Sequence, residues 1–417
     1  MHQFRAVITA TILAHLMFPG ELLAANSTEE PEGVVFGGYG EILYSRFDFG
    51  PDQKSGPHGS LPDERAIVDL QRFVVRMDYD FDESLSFTAE IEYEHGGTGS
   101  TLELEYEEFG EYGIGVEQGG EVVLEQLYLA KRLTDLWNLR AGHFIIPVGS
   151  INASDLPLSY FGTVLPEAET SIIPVTWHET GIELFGAFVT FNYQVQIVNG
   201  LDSTGFGSKY WIRGGHQAKF EQTRATDLAL VARLSWTGVR GLKISGSAYH
   251  GNTTGNRPKP DMDGITARLT ILSSDVRYER GPWRGRAVVI WGSLENADQI
   301  SSKNSRLSTN LGVSRTPVAK EALSWAVELG YDVLPLFAGG SRMALLPFLR
   351  FEAVNSMHAT DAGVFADPRF DRAITTVGLN WMPTPTVVVK SDYSIRSLGA
   401  DHFRDEKTFG LALGFIY

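Results

Sequence analysis

The feature that most restricts this chain is a period of two. Phe73, Val75, Met77, Tyr79 and Phe81 alternate with Arg72, Arg76, Asp78 and Asp80. The pattern resumes with Phe87, Ala89, Ile91 and Tyr93 set against Glu90, Glu92 and Glu94. Successive side chains of a β-strand point to opposite faces, so each segment offers one apolar face and one charged face. The runs approach the roughly 9 to 11 residues that a tilted strand needs to cross a bilayer. A soluble sandwich alternates too, but its strands are usually shorter and fewer in succession.

The connections come in two sizes that alternate strictly. Short turns join Phe81 to Leu85, Leu133 to Trp137, Phe185 to Val189, Trp236 to Leu242, Glu279 to Trp283 and Trp381 to Val387, with a longer one from Leu334 to Met343. Between them lie polar, Gly-rich loops at about 48–67, 96–120, 145–178, 200–224, 251–263, 296–317, 356–370 and 398–406. Tight turns on one side and long loops on the other are the pattern of an antiparallel up-and-down transmembrane barrel. The reading gives about 16 strands, at 34–47, 68–81, 84–95, 121–132, 136–144, 179–187, 189–199, 225–236, 241–250, 264–279, 283–295, 318–334, 343–355, 371–382, 385–397 and 407–417. Alternation is poorest over 121–132, and a phase slip around Ser273 to Asp275 reads as a bulge.

The last segment is the clearest. Phe409, Leu411, Leu413, Phe415 and Tyr417 share one face, and the sequence stops on the aromatic. In water such a strand is an adhesive edge. Paired with the first strand, Val34 to Phe47, it closes the sheet, as hydrocarbon demands of any spanning backbone. The terminal aromatic reads as a signal to barrel-assembly machinery; the plainer alternative is an ordinary buried strand.

Composition agrees. Mean hydropathy is −0.09, and beyond the first 25 residues no apolar run reaches the roughly 18 to 20 residues of a membrane helix. Abundant Gly (44 residues) and 11% aromatics suit many turns and aromatic girdles. With no Cys, stability must come from strand pairing and burial. A net charge of −16 argues against nucleic acid as a partner. Arg5, the apolar stretch Ala6 to Phe18 and the small residues ending at Ala25 read as a secretory signal peptide. The expected organisation is therefore a signal peptide at 1–25, a short periplasmic segment at 26–33 and a barrel at 34–417. The expected location is the outer membrane of a Gram-negative bacterium, amid lipid and lipopolysaccharide.

Several stretches resemble bacterial porins related to the phosphate-selective O/P type. They are Gly37-Gly38-Tyr39-Gly40-Glu41, Arg72-Phe73-Val74-Val75, Glu90 to His95, Pro147 to Asn152, Ile172 to Glu179 and Val198-Asn199-Gly200-Leu201. The resemblance implies a 16-stranded barrel, a homotrimer, a third loop folded into the lumen and uptake of anions such as phosphate. Phosphate selectivity in such porins looks to need a cationic cluster at the constriction. Here the third loop, 145–178, has no Lys or Arg and carries Asp155, Glu167 and Glu169.

If the apolar face meets lipid, the other lines the lumen. Its basic members would be Arg72, Arg76, Arg140, Arg233, Lys243, Arg268, Arg277, Arg286, Arg350, Arg372, Lys390 and Arg396. Its acids would include Glu90, Glu92, Glu94, Glu179 and Glu183, with Asp155, Glu167 and Glu169 at the constriction. So many charges cannot sit unpaired in a dry core, where each ion costs several kcal/mol. A water-filled bore hydrates them, so a passive channel for small hydrophilic solutes or ions is expected. Apolar Pro147, Pro157, Tyr160, Phe161, Pro166, Ile172, Ile173 and Pro174 suit a third loop turned inward, its acids facing the basic wall. A transverse field would then sort solutes; plain bracing of the loop by salt bridges is the alternative. The acidic run from Glu103 to Glu117 reads as a solvated vestibule, with no spacing of a calcium loop. No cofactor, metal or catalytic motif stands out. The competing class is a barrel enzyme or receptor that uses its loops as a platform.

Overall fold

In the computed structural model the described residues are 33–49, 64–97, 103–104, 114–115, 120–134, 136–217, 222–307, 315–338, 342–401 and 403–417. The expected signal peptide, all but the end of the segment at 26–33 and most of the acidic run after Glu103 lie outside them.

Each alternating segment forms a strand whose neighbours in sequence are its neighbours in space. The barrel strands are β1 (Val35–Asp48), β2 (Ala66–Asp82), β3 (Leu85–Glu94), β4 (Glu121–Arg132), β5 (Asn138–Ile145), β6 (His178–Phe188), β7 (Phe191–Asn199) and β8 (Leu228–Val239). They continue as β9 (Leu242–Asn252), β10 (Arg268–Arg280), β11 (Trp283–Leu294), β12 (Glu321–Tyr331), β13 (Ala344–Ala359), β14 (Asp371–Thr384), β15 (Val387–Leu398) and β16 (Glu406–Ile416). All sixteen pair in order, and β16 returns to β1, making a closed antiparallel barrel.

The seam runs from Tyr39 opposite Ile416 to Asp48 opposite Lys407. Tyr417 extends it: its N–H donates to the Gly38 carbonyl at 3.0 Å, and the Gly38 N–H donates back at 3.2 Å. Its ring stacks on Phe73 at 5.8 Å, and its hydroxyl donates to the Val74 carbonyl at 3.1 Å. A Cβ on Gly38 would lie 2.0 Å from that carbonyl, so only glycine admits this approach.

Two sequence expectations on register change. The poor alternation of β4 is a bulge: Glu90 faces Gln126 and Ile91 faces Leu124, so Glu125 is the extra residue. Glu125 and Gln126 are consequently both buried. By contrast β10 has no slip, for its pairing with β9 and β11 is continuous through Ser273 and Asp275. Arg268 therefore shares a face with exposed Leu272 and stands opposite to Asp275 and Arg277. It is a correction to the expected lumen set: Arg268 sits at the strand end, half-exposed, beside Glu295 at 3.4 Å. Strand ends shift as well. β6 runs on to Phe188 and turns at Val189 and Thr190, because a two-residue hairpin needs backbone geometry (Val189 has φ 54°) rather than polarity.

The exposed face is apolar almost throughout, with Leu272, Val289, Val327, Leu349, Val377, Leu411 and Leu413 along it. Near the short turns it turns aromatic: Trp137 meets Tyr193 at 5.6 Å and Trp283 meets Tyr331 at 4.7 Å. Such rings suit the interface between hydrocarbon and water. The buried face is less uniformly polar than expected. Val198, Val231, Tyr249, Leu269, Ile271, Val288 and Ile290 form one core with the loop residues Ile172, Trp177, Leu201, Phe206, Trp211 and Ile300. Period two shows that two faces differ, but not which apolar residues meet lipid and which meet a loop.

A charge on the exposed face is tolerated at the strand end and costly at mid-strand. Leu272→Arg, four residues deeper than Arg268, is expected to lose about 2–4 kcal/mol in urea unfolding from phospholipid bilayers. Arg268→Leu is expected to change little, and equal costs at the two sites would refute this placement.

Candidate functional site

The site is built where residues 146–177, between β5 and β6, meet the buried face. Asp155 receives Arg72 of β2 at 2.6 Å and the Tyr39 hydroxyl of β1 at 2.7 Å. Tyr160 donates to Glu41 of β1, and the Lys390 ammonium of β15 lies 3.5 Å from the Tyr160 ring centre. The same ammonium donates to the Gly162 carbonyl at 3.0 Å, while the Thr163 amide donates to Asp392 at 2.6 Å. A short helix, Glu167–Thr170, brings two carboxylates to the wall. Glu167 pairs with Arg372 of β14 and with Arg396 of β15, the latter at 3.0 Å. Glu169 accepts from the Ser150 and Ile151 amides at 2.6 and 2.9 Å and pairs with Arg286 of β11 at 3.0 Å.

Wall charges are paired among themselves as well. Glu328 of β12 lies between Arg286 at 3.0 Å and Arg350 at 3.3 Å, and Arg350 reaches Glu352 at 2.8 Å. Arg233 meets Asp275 at 2.8 Å, Arg140 meets Glu183 at 2.7 Å, and Arg76 meets Asp78 at 2.8 Å and Glu90 at 3.4 Å. Arg277 donates to the Ser159 carbonyl at 3.4 Å. Of the sequence-derived basic set, all but Arg268 lie on the buried face of their strands, Lys243 included, in phase with Ser245 and Ser247. Asp155, Glu167 and Glu169 do meet that basic set, as direct ion pairs rather than across an open gap.

Two cavities border this loop. The larger, about 1090 Å³ when the open solvent at its mouth is counted, is lined by Tyr39, Arg76, Glu90, Glu125, Gln126, Arg140, Asn152, Asp155, Thr176, Arg233 and Lys243 among others. The smaller, about 440 Å³, lies against Pro157 to Phe161 and is lined by Arg277, Glu279, Arg284, Arg286 and Asn380. Sequence reasoning missed Glu125, which only the bulge turns to this side, and Asp275, hidden by the supposed slip.

The sequence also left His143, His178 and His216 as scattered polar residues; the fold collects them. His143 Nε2 lies 2.6 Å from His178 Nδ1, and His216 Nε2 lies 2.8 Å from the His178 carbonyl. Burial, with Arg213 nearby, lowers His216 to about 4, so it is neutral at physiological pH. Glu179 is not partnered with His178; it accepts from the Trp177 indole at 3.1 Å and from Asn199. Among the described residues no group of His, Asp or Glu could hold a metal ion.

No family model matches the sequence. A protein of Aquifex aeolicus, described only as uncharacterized, is 26% identical over 364 residues, 87% of this chain and 75% of its own. Among solved structures, the outer membrane channel DcaP of Acinetobacter baumannii matches with a TM-score of 0.54 at 11% identity, covering 94% of this chain and 100% of that one. An anion-selective porin from Comamonas acidovorans gives 0.54 at 9% identity, covering 92% and 99%. Pseudomonas putida OprB gives 0.55 at 11% identity, covering 92% and 94%. The fold is that of outer-membrane porins.

Glu167 provides a pH test of the loop's attachment. Burial alone would raise its carboxyl, yet Arg396 and Arg372 outweigh burial and hold it down to about 2. A carboxyl depressed in the folded state contributes stability that is complete above its unfolded value, about 4.3, and is lost as pH falls through the folded one. A nitroxide on Val164→Cys, the only cysteine in that variant, is expected to stay immobilised at pH 5 and to loosen as pH approaches 2. Adding Glu167→Gln is expected to loosen it at pH 5 as well. A label indifferent to both changes would remove Glu167 from the attachment.

Proposed function

We propose that the protein is a passive outer-membrane channel for small hydrophilic solutes or ions, with residues 146–177 lying inside the bore as its constriction. The observation that carries this reading is the reach of that segment. Its residues engage β1, β2, β11, β14 and β15, strands far apart around a closed barrel, through side chains on their buried faces. Contacts with the buried faces of strands across about half the ring support a position within it. The apolar exposed face then meets lipid, and the solvent-open, charge-lined cavities belong to the path. Location in the outer membrane, export by the N-terminal signal, delivery by barrel-assembly machinery and contact with lipid and lipopolysaccharide follow from the same reading. A homotrimer is part of it too; one neighbour, an OmpT outer membrane protein of Vibrio cholerae solved in a trimer form, matches with a TM-score of 0.50 at 11% identity.

Selectivity is read from pairing. Arg72, Arg76, Arg140, Arg233, Arg286, Arg350, Arg372 and Arg396 each face at least one carboxylate, so the basic wall presents little uncompensated positive charge. That pattern supports preference for cations or neutral solutes over uptake of phosphate or other anions. The core that joins the loops to β7–β11 restricts the passage to a narrow, polar sector, which fits a selective channel better than a wide general pore.

Purified protein in planar lipid bilayers is expected to give stepwise currents, with a reversal potential of cation-selective sign in a KCl gradient. Absence of steps would favour the platform reading, in which the loops serve an enzyme or receptor. Arg277→Gln together with Arg286→Gln is expected to raise cation preference further, and anion preference in the parent would overturn the charge argument.

A further inference from the structure

The larger cavity is lined by the carboxylate of Glu125, and a second buried carboxylate, Glu92, acts on it. Glu125 and Glu92 are buried to 1% and 4% exposure, on neighbouring strands β4 and β3. Glu92, Glu90 and Asp155 are all close enough to act on the Glu125 carboxyl. One Glu125 oxygen accepts from the Thr176 hydroxyl. The other is buried without a hydrogen-bond partner. Neighbouring buried carboxylates offer only acceptors to each other, so a positive hydrogen between them favours both.

Nearby cations are already engaged. Arg72 serves Glu41 at 2.7 Å and Asp155 at 2.6 Å, and Arg76 serves Asp78 and Glu90. No ion pair among the described residues reaches Glu92 or Glu125, and Arg72, which acts on Glu92, is paired with Glu41 and Asp155. Nor are these acids arranged as metal ligands, which must converge on a point. A primary ammonium suits them better: it carries three donors and bonds carboxylates at about 2.7–2.9 Å over a wider spread.

We propose that Glu125 and Glu92, assisted by Glu90 and Asp155, form a binding subsite for a primary ammonium group within the cavity. The solutes it selects are small amines. Thr176 and Asp155 tie the subsite to the loop of residues 146–177, so an occupied subsite also narrows the path. The inference rests on the channel reading for its role in transport, but not for binding itself.

Titration calorimetry of the detergent-purified protein with ethylammonium chloride tests it, with tetramethylammonium as a cation of equal charge that has no N–H. Ethylammonium is expected to bind saturably, and tetramethylammonium about tenfold or more weaker. Glu125→Gln and, separately, Glu92→Gln are each expected to weaken ethylammonium about tenfold or more, the effect of removing one partner of a buried charged contact. Equal binding of the two cations overturns the proposal. So does no binding at all, which would mean that the two carboxyls merely share a proton. The comparison of cations on the unmodified protein stands even if a variant fails to fold. Binding without bilayer currents would refute the channel alone, whereas currents without binding would refute the subsite alone.

Discussion

Every backbone N–H and C=O that enters hydrocarbon must find a partner within the sheet, and a sheet with an edge cannot provide one for its outermost strands. The seam between β1 and β16 meets that demand. Its ladder runs over ten residue pairs, and the hydrogen bonds of Gly38 with Tyr417 add the last link. Once the seam is shut, each strand has an outside and an inside. Alternation then has a physical meaning: Leu411 and Leu413 are exposed because Gly410, Ala412 and Gly414 are turned away from lipid. Gly410 and Gly414 leave room for Thr163 and Pro157, whose atoms lie where a larger side chain would stand. The seam thus shapes the interior as well as the wall.

Inside, charge is managed mainly by pairing. A buried ion pair gains little over an apolar packing of equal volume, but losing one partner is costly, about 3–5 kcal/mol. The cluster Arg286–Glu328–Arg350–Glu352, joined by Glu169, is of this kind, with each side chain at most a few per cent exposed. Such a network does not maximise stability so much as fix one placement of the loop, because any other leaves a charge without its partner. Loop position and wall electrostatics are therefore one problem with one solution.

The barrel was legible because its evidence is periodic and redundant. The apolar rows at Phe73 to Phe81 and Phe409 to Tyr417, with short and long connections in turn, each point to the same ring. What escaped is whatever one-dimensional alternation cannot encode. A bulge moves Glu125 inward while making β4 look irregular, and the continuous register of β10 puts Arg268 outside although its neighbours suggested a slip. Ile271 and Val288 are as apolar as Leu272 and Val289, yet they pack against loops rather than lipid. Burial by a loop depends on where residues far away in the sequence, such as Ile172 and Trp177, come to rest. Which charged side chains share a strand face can be read from alternation for the same reason; their partners cannot, because pairing is a property of distance.

That distinction decides how selectivity should be read. Counted along the sequence, the basic wall invites an anion. Weighed in space, most of it is cancelled: Arg372 and Arg396 converge on Glu167, and Arg233 and Arg140 are held by Asp275 and Glu183. A solute responds to the field left after cancellation, which is strongest where a charge has no counterpart and water is scarce. The proposed subsite puts Glu92 and Glu125 in that position, on a bulge whose extra residue is the second of the pair. Removing the bulge would restore regular alternation to β4 and take one carboxylate out of the cavity, so the irregularity that weakens the strand's signature is also what concentrates its charge.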